Sequence, residues 1–116
     1  MTRDKIENFA ILDFEASSLS LESWPIEIGL SWIDNGAVQT WSSLISPAAT
    51  WDIDDWSHLS AAVHKVAFSS LAGAPSVQVV SQAFLKTFAG RQLVSDAPKF
   101  ETHWLTRLLH AGGYDE

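Results

Sequence analysis

The stretch FAILDFEASSL, residues 9–19, is the segment around which the rest of this chain is organised. It is an apolar, strand-forming run that carries Asp13 and Glu15 into its end, and side chains of a strand repeat every second residue, so both carboxylates are expected on one face. Two neighbouring carboxylates repel each other, and a hard divalent cation relieves that repulsion. The spacing therefore indicates a candidate metal site, and the alternative interpretation is a pair of acids that only marks where the strand meets water.

Length and composition indicate one small globular domain over residues 1–116. Of the 116 residues, 47% are hydrophobic and 18% are charged, which is enough for a real core and leaves no room for a second domain. The absence of cysteine excludes disulfides, zinc-thiolate sites and a thiol nucleophile. Because the first residues lack a secretory signal and no apolar run approaches membrane-spanning length, we expect a soluble, cytoplasmic protein with no membrane partner.

The charge balance limits how the chain can bind phosphate. Seven Lys and Arg against fourteen Asp and Glu give a formal charge of -7. A protein this acidic is not expected to bind nucleic acid through a basic surface. If the ligand is a nucleic acid, metal ions must supply much of the positive charge.

Hydrophobic periodicity predicts an α/β fold in the order three strands, helix, strand, helix. A turn at Asp34-Asn35-Gly36 makes the first three strands an antiparallel meander. In the less regular middle of the chain, Trp51, Trp56, Leu59 and Val63 suggest one face of an irregular helical segment. The predicted strands are residues 8–14, 24–33, 37–45 and 91–95, the first of them apolar on both faces and central, and the predicted helices are residues 77–89 and 98–111.

Four segments, in order, resemble the DEDD (DnaQ-like) superfamily of 3'-to-5' exonucleases. They are FAILDFEASSL, PIEIG at residues 25–29, VHKV at 63–66 and LVSDAPKFE at 93–101. The resemblance implies a ribonuclease H-like mixed sheet, with three antiparallel strands, a parallel fourth strand and flanking helices. It also implies hydrolysis of phosphodiesters at single-stranded nucleic-acid 3' ends by a mechanism that uses two Mg²⁺ or Mn²⁺ ions.

The same resemblance assigns roles to individual residues. Asp13, Glu15 and Glu101 take the positions of the catalytic, metal-binding acids, with Glu101 standing where the family usually has Asp. By position, Asp96 is a further metal ligand or an acid that supports the ligands from behind, and its alternative role is that of a turn acid before a helix. Residues in the substrate-binding positions, for which ordinary loop or structural roles are the alternative, are Ser17, Ser18, Leu19 and His64.

The family's third motif, a His and an Asp on a later helix, has no counterpart here. His110 and Asp115 have the right spacing, but they lie across two glycines at the end of a predicted helix, so we interpret the match as chance. We therefore expect a truncated domain that lacks the last strand and helix of the fold. The fourth strand is then an open sheet edge, which favours a homo-oligomer or a partner chain.

Three functional hypotheses follow from these observations. The first is a metal-dependent 3'-to-5' exonuclease domain that is incomplete and weakly active as this chain. The second is a catalytically silent relative that binds nucleic acid or protein, and the third is a fragment without independent function. The sequence does not distinguish DNA from RNA as the substrate.

Overall fold

A computed structural model describes residues 5–114, so Asp115 lies outside the described residues. The strands are β1 (Phe9–Ala16), β2 (Pro25–Asp34), β3 (Ala37–Leu44) and β4 (Gln92–Val94), and the helices are α1 (His58–His64), α2 (Val77–Phe88) and α3 (Pro98–Ala111). Short 3-10 turns occupy Lys5–Asn8 and Phe68–Leu71. Each predicted strand and helix is present, with ends shifted by two residues at most.

The four strands form one mixed sheet in the order β3-β2-β1-β4. The pairs β1-β2 and β2-β3 are antiparallel, and β4 runs parallel to β1. The predicted meander and parallel fourth strand are confirmed, and β1 is central. Asn35 and Gly36 both have positive φ, 51° and 77°, the conformation that a two-residue hairpin of type I′ requires.

The helices cover only one face of this sheet. The even-numbered residues of β1 are buried beneath α2 and α3, whereas Ile11 on the opposite face is 59% exposed. The predicted central position of β1 is confirmed, although its apolar residue Ile11 is not covered by a helix. The strand is central because it has neighbours on both edges, while within residues 5–114 its second face is open.

Helices α2 and α3 pack closely against each other beside the sheet. The buried hydroxyl of Ser81 donates a hydrogen bond to the Leu108 carbonyl at 3.1 Å, which ties the two helices together. Helix α3 begins with Pro98 in its first turn and presents Trp104 to the sheet, where the ring meets Phe14 edge to face at 6.2 Å. This packing fixes the first turn of α3 next to the end of β1.

The middle segment departs from its prediction. Trp51 is buried and stacks on Trp24 at 5.9 Å, but Leu59 and Val63, on α1, are 84% and 78% exposed. The four residues expected on one helical face do not share a face, because the chain before Ser57 forms turns that direct its tryptophans inward. Ser57 caps α1 by accepting a hydrogen bond from the Ser60 N–H at 3.2 Å.

No helix between residues 5 and 114 combines the length and the hydropathy needed to cross a lipid bilayer.

Candidate functional site

Asp13 and Glu15 lie on the same, open face of the sheet. In the β1-β2 register, Asp13 is opposite Gly29 and Glu15 is opposite Glu27. Since directly opposed residues of an antiparallel pair share a face, Glu27 joins the two β1 acids. The common face predicted for Asp13 and Glu15 is therefore confirmed, and the register adds a third carboxylate.

Glu101 reaches this region from the first turn of α3. It is only 3% exposed, and its Oε2 accepts a hydrogen bond from the Phe14 N–H at 2.8 Å. Its Oε1 accepts a second hydrogen bond, from the hydroxyl of Ser95. Glu101 therefore holds the backbone of Phe14, the residue between Asp13 and Glu15.

The acids perturb one another electrostatically. The pKa of Glu15 is raised above its ordinary value, first by burial and then by the negative charges of Asp13, Glu27 and Glu101. A raised carboxyl pKa means that the ionised form is disfavoured in the folded protein. The open face therefore holds carboxylates under mutual repulsion.

The pKa of Glu101 is raised as well, and its causes oppose each other. Burial is the largest, and the charges of Asp13 and Asp96 act in the same direction, whereas the hydrogen bonds from Ser95 and the Phe14 N–H favour the ionised form. The carboxyl group is thus held by neutral donors inside an acidic environment.

A cleft of about 280 Å³ brings most of the sequence-predicted residues together. Its walls come from the end of β1, the loop that follows β1, helix α1 and the first turn of α3. The predicted residues that line it are Asp13, Glu15, Ser18, Leu19, His64, Asp96 and Glu101. A larger and shallower depression of about 610 Å³ lies next to it on the open sheet face and shares Asp13 and Asp96.

The three loop residues after β1 have different environments. Ser17 is completely buried, and its hydroxyl accepts a hydrogen bond from the Trp24 N–H at 3.1 Å, so it does not line the cleft. Ser18 is also buried but borders the cleft, while its hydroxyl accepts from the Ser20 N–H at 3.0 Å. Leu19 borders the cleft and is 66% exposed. The structure therefore places Leu19 at the rim and Ser17 in the core.

His64 lies at the end of α1 and at the edge of the cleft. Its Nδ1 accepts a hydrogen bond from the Val66 N–H at 2.9 Å, and its ring meets Trp56 edge to face at 5.5 Å. Burial lowers the pKa of His64. These contacts favour a neutral ring that carries its proton on Nε2.

The carboxylate oxygens of the site suit a hard cation only in part. Asp13 and Glu15 offer oxygen ligands on one face. The pKa of Glu15 is raised first by burial and then by the neighbouring acids, and a bound cation would relieve the second of these causes. Across residues 5–114, however, no group of three or more His, Asp or Glu side chains is arranged to hold a metal ion. Both oxygens of Glu101 already accept hydrogen bonds from the protein. The two strand acids are therefore free to offer oxygen ligands on the open face, whereas both Glu101 oxygens are engaged by protein donors.

Sequence reasoning did not assign a site role to Ser95. It lies between β4 and α3, and its hydroxyl both donates to Glu101 and accepts from the Ala97 N–H, the latter at 3.1 Å. A serine in a turn before a helix is common, so no local signal distinguishes this one. Only the packing of α3 against β1 reveals its partner.

Comparison of the sequence with protein-family models and with curated proteins gave no match.

Proposed function

We propose that this chain is a DEDD-type 3'-to-5' exonuclease domain with a weakened hydrolytic centre, which binds the 3' ends of single-stranded nucleic acid. A divalent cation, Mg²⁺ or Mn²⁺, is held by Asp13 and Glu15. The observation that carries the proposal is the convergence in one cleft of acids from β1 and α3 with Leu19 and His64. The mixed sheet, with its parallel fourth strand beside the acidic strand, also supports it.

The charge of the protein explains why a cation is needed. A chain with a formal charge of -7 repels a phosphodiester, most strongly where Asp13, Glu15 and Glu27 lie together. When bound, a divalent ion supplies positive charge that attracts a phosphate oxygen and polarises it. Asp13 and Glu15 hold that charge at the end of β1, and the exposed Leu19 offers an apolar surface for a base.

The metal ligands and bases available at the site explain why we expect little hydrolysis. Hydrolysis by two metal ions requires ligands for both ions and a base for the attacking water. Among residues 5–114 the fitting ligands are Asp13 and Glu15, and the preferred tautomer of His64 presents a donor rather than a base. The site is therefore better suited to binding than to rapid cleavage.

A catalytically silent relative that binds nucleic-acid ends is the second candidate. The observation that favours it is the engagement of Glu101 by the Phe14 N–H and the Ser95 hydroxyl. The two candidates share the cation and differ only in whether product is released.

The test measures binding of a fluorescent single-stranded oligonucleotide, as DNA and as RNA, in EDTA and in Mn²⁺. We expect Mn²⁺-dependent binding that Asp13→Asn abolishes and that the control Asp34→Asn, at the exposed hairpin end of β2, retains. Binding that is equal in EDTA, or equal in Asp13→Asn, would contradict the proposal. Stepwise shortening of a 5'-labelled strand from its 3' end, lost in Asp13→Asn, supports the exonuclease, and metal-dependent binding without shortening supports the silent relative.

Self-association through β4 is a separate proposal. Within the described chain β4 pairs only with β1, so its outer edge has no strand partner. Analytical ultracentrifugation over a range of protein concentrations tests whether copies associate.

A further inference from the structure

The hydrogen bonds of Glu101 define a connection between α3 and β1. Pairing of β1 with the parallel strand β4 ends at Ile11 opposite Val94. The N–H of Phe14 therefore lies beyond the last strand partner on this edge, in a buried position. A buried N–H without a partner costs free energy, and Glu101 Oε2 removes that cost by accepting from it at 2.8 Å.

Ser95 completes the connection from the other side. It follows β4 directly, and its hydroxyl donates to Glu101 Oε1. The same hydroxyl accepts from the Ala97 N–H at 3.1 Å, which fixes the turn that leads into α3. One carboxylate thus joins the end of β1 to the turn between β4 and α3.

The direction of these bonds separates Glu101 from the two β1 acids. Backbone N–H groups of a strand lie in the plane of the sheet, whereas side chains leave that plane. The Glu101 carboxylate, bonded to the Phe14 N–H, lies at the edge of β1 and is 3% exposed. Asp13 and Glu15 leave the sheet on its open face.

We infer that Glu101 is a positioning residue and not a metal ligand: together with Ser95 it fixes the backbone of Phe14 and so the spacing of Asp13 and Glu15. This inference rests on the proposed function for the role of the two β1 acids. It departs from the role that the sequence resemblance implies for Glu101. The Ser95–Glu101–Phe14 connection is called the clamp below.

The first measurement is amide hydrogen exchange of Phe14 by NMR in metal-free protein. Glu101→Ala removes the acceptor, and we expect the Phe14 amide to exchange at least about tenfold faster while amides of the β2-β3 ladder keep their rates. Glu101→Gln retains an amide oxygen for the Phe14 N–H, so its rate is expected within about threefold of wild type. If Glu101→Ala does not fold, Ser95→Ala serves in its place, because it removes the hydrogen bond between the Ser95 hydroxyl and Glu101. We expect it to raise the exchange rate of the Phe14 amide and to leave the amides of the β2-β3 ladder unchanged.

The second measurement is Mn²⁺ affinity by calorimetry. If Glu101 positions the strand and does not bind the ion, the Mn²⁺ affinity of Glu101→Gln stays within about threefold of wild type. The affinity of Asp13→Asn falls about tenfold or more, because a neutral amide is a poor substitute for a carboxylate ligand. Equal losses in Glu101→Gln and Asp13→Asn would make Glu101 a ligand and overturn the inference. An unchanged Phe14 exchange rate in every folded clamp variant would overturn it as well.

The two measurements distinguish failure of the clamp from failure of the proposed function. Absence of Mn²⁺ binding in the wild-type protein removes the cation site. Exchange at Phe14 is recorded without metal, so it still decides whether Glu101 and Ser95 hold the strand.

Discussion

Replacement of Glu15 by Gln is expected to make the protein more stable and less able to bind a cation. The pKa of Glu15 is raised by burial and by Asp13, Glu27 and Glu101, so its charge opposes folding at neutral pH. Gln keeps the shape of the side chain and removes the charge. A residue whose charge costs stability and is needed for binding behaves as a functional group rather than a structural one.

The size of the effect follows from the exposure of the site. Glu15 is half-buried, so its repulsion with each neighbouring acid is screened by water and is worth about 0.2–1 kcal/mol. We expect Glu15→Gln to raise the free energy of unfolding by about 1 kcal/mol at pH 7, which is about 4 °C in Tm for a domain of this size. The protonated carboxyl is stabilising below its ordinary pKa of 4.5, and this is lost as pH rises through the raised folded value. The gain from Gln should therefore disappear in acid.

Thermal unfolding followed by circular dichroism, in EDTA and in Mn²⁺, measures both effects. At about 10 mM Mn²⁺ and a dissociation constant of about 1 mM, binding stabilises the wild type by about 1.4 kcal/mol. Glu15→Gln should lose most of that increment, and the control Glu22→Gln, on an exposed loop position, should behave like wild type. A lower stability of Glu15→Gln than of wild type in EDTA would contradict the destabilising charge, and an equal rise of both Tm values in Mn²⁺ would contradict the cation site.

Three further predictions concern the packing of α2 against α3, the loop after β1, and His64. A Cβ at Gly112 would lie 2.8 Å from the Ser81 Cβ, so Gly112→Ala should lower the free energy of unfolding in urea by about 1–3 kcal/mol, while Gly73→Ala, with open space around it, should be neutral. Ser17→Ala leaves a buried backbone N–H without its acceptor and should cost about 1–3 kcal/mol in the same assay, and a neutral result would contradict the hydrogen bond. Because burial lowers the pKa of His64, stability should fall as pH drops below 6.5, and urea titrations should show a weaker dependence in His64→Gln.

The sheet and the terminal helix were predictable because their signals are local. Alternation of apolar residues defines the strands, and the positive φ of Asn35 and Gly36 is what that dipeptide predicts for a hairpin. Pro98 in the first turn and Gly112 after the last fix the ends of α3. Such features need no knowledge of distant parts of the chain.

The missed features depend on tertiary packing. Trp51 was assigned a helical face, but its place is decided by stacking on Trp24, which is far away in the sequence. The common face of Asp13 and Glu15 follows from strand geometry alone. The proximity of Glu27 depends on the β1-β2 register, and the partners of Glu101 depend on how α3 meets β1. Sequence periodicity predicts neither the proximity of Glu27 nor the partners of Glu101.

The one-sided sheet gives its acids a second consequence. Apolar side chains such as Ile11 and Val38 on the uncovered face would favour stacking of two molecules face to face. Asp13, Glu15 and Glu27 lie on that face, and such stacking would bring like charges together. Neutralising one of these acids should therefore raise the thermal stability of the protein and, at the same time, lower its resistance to aggregation.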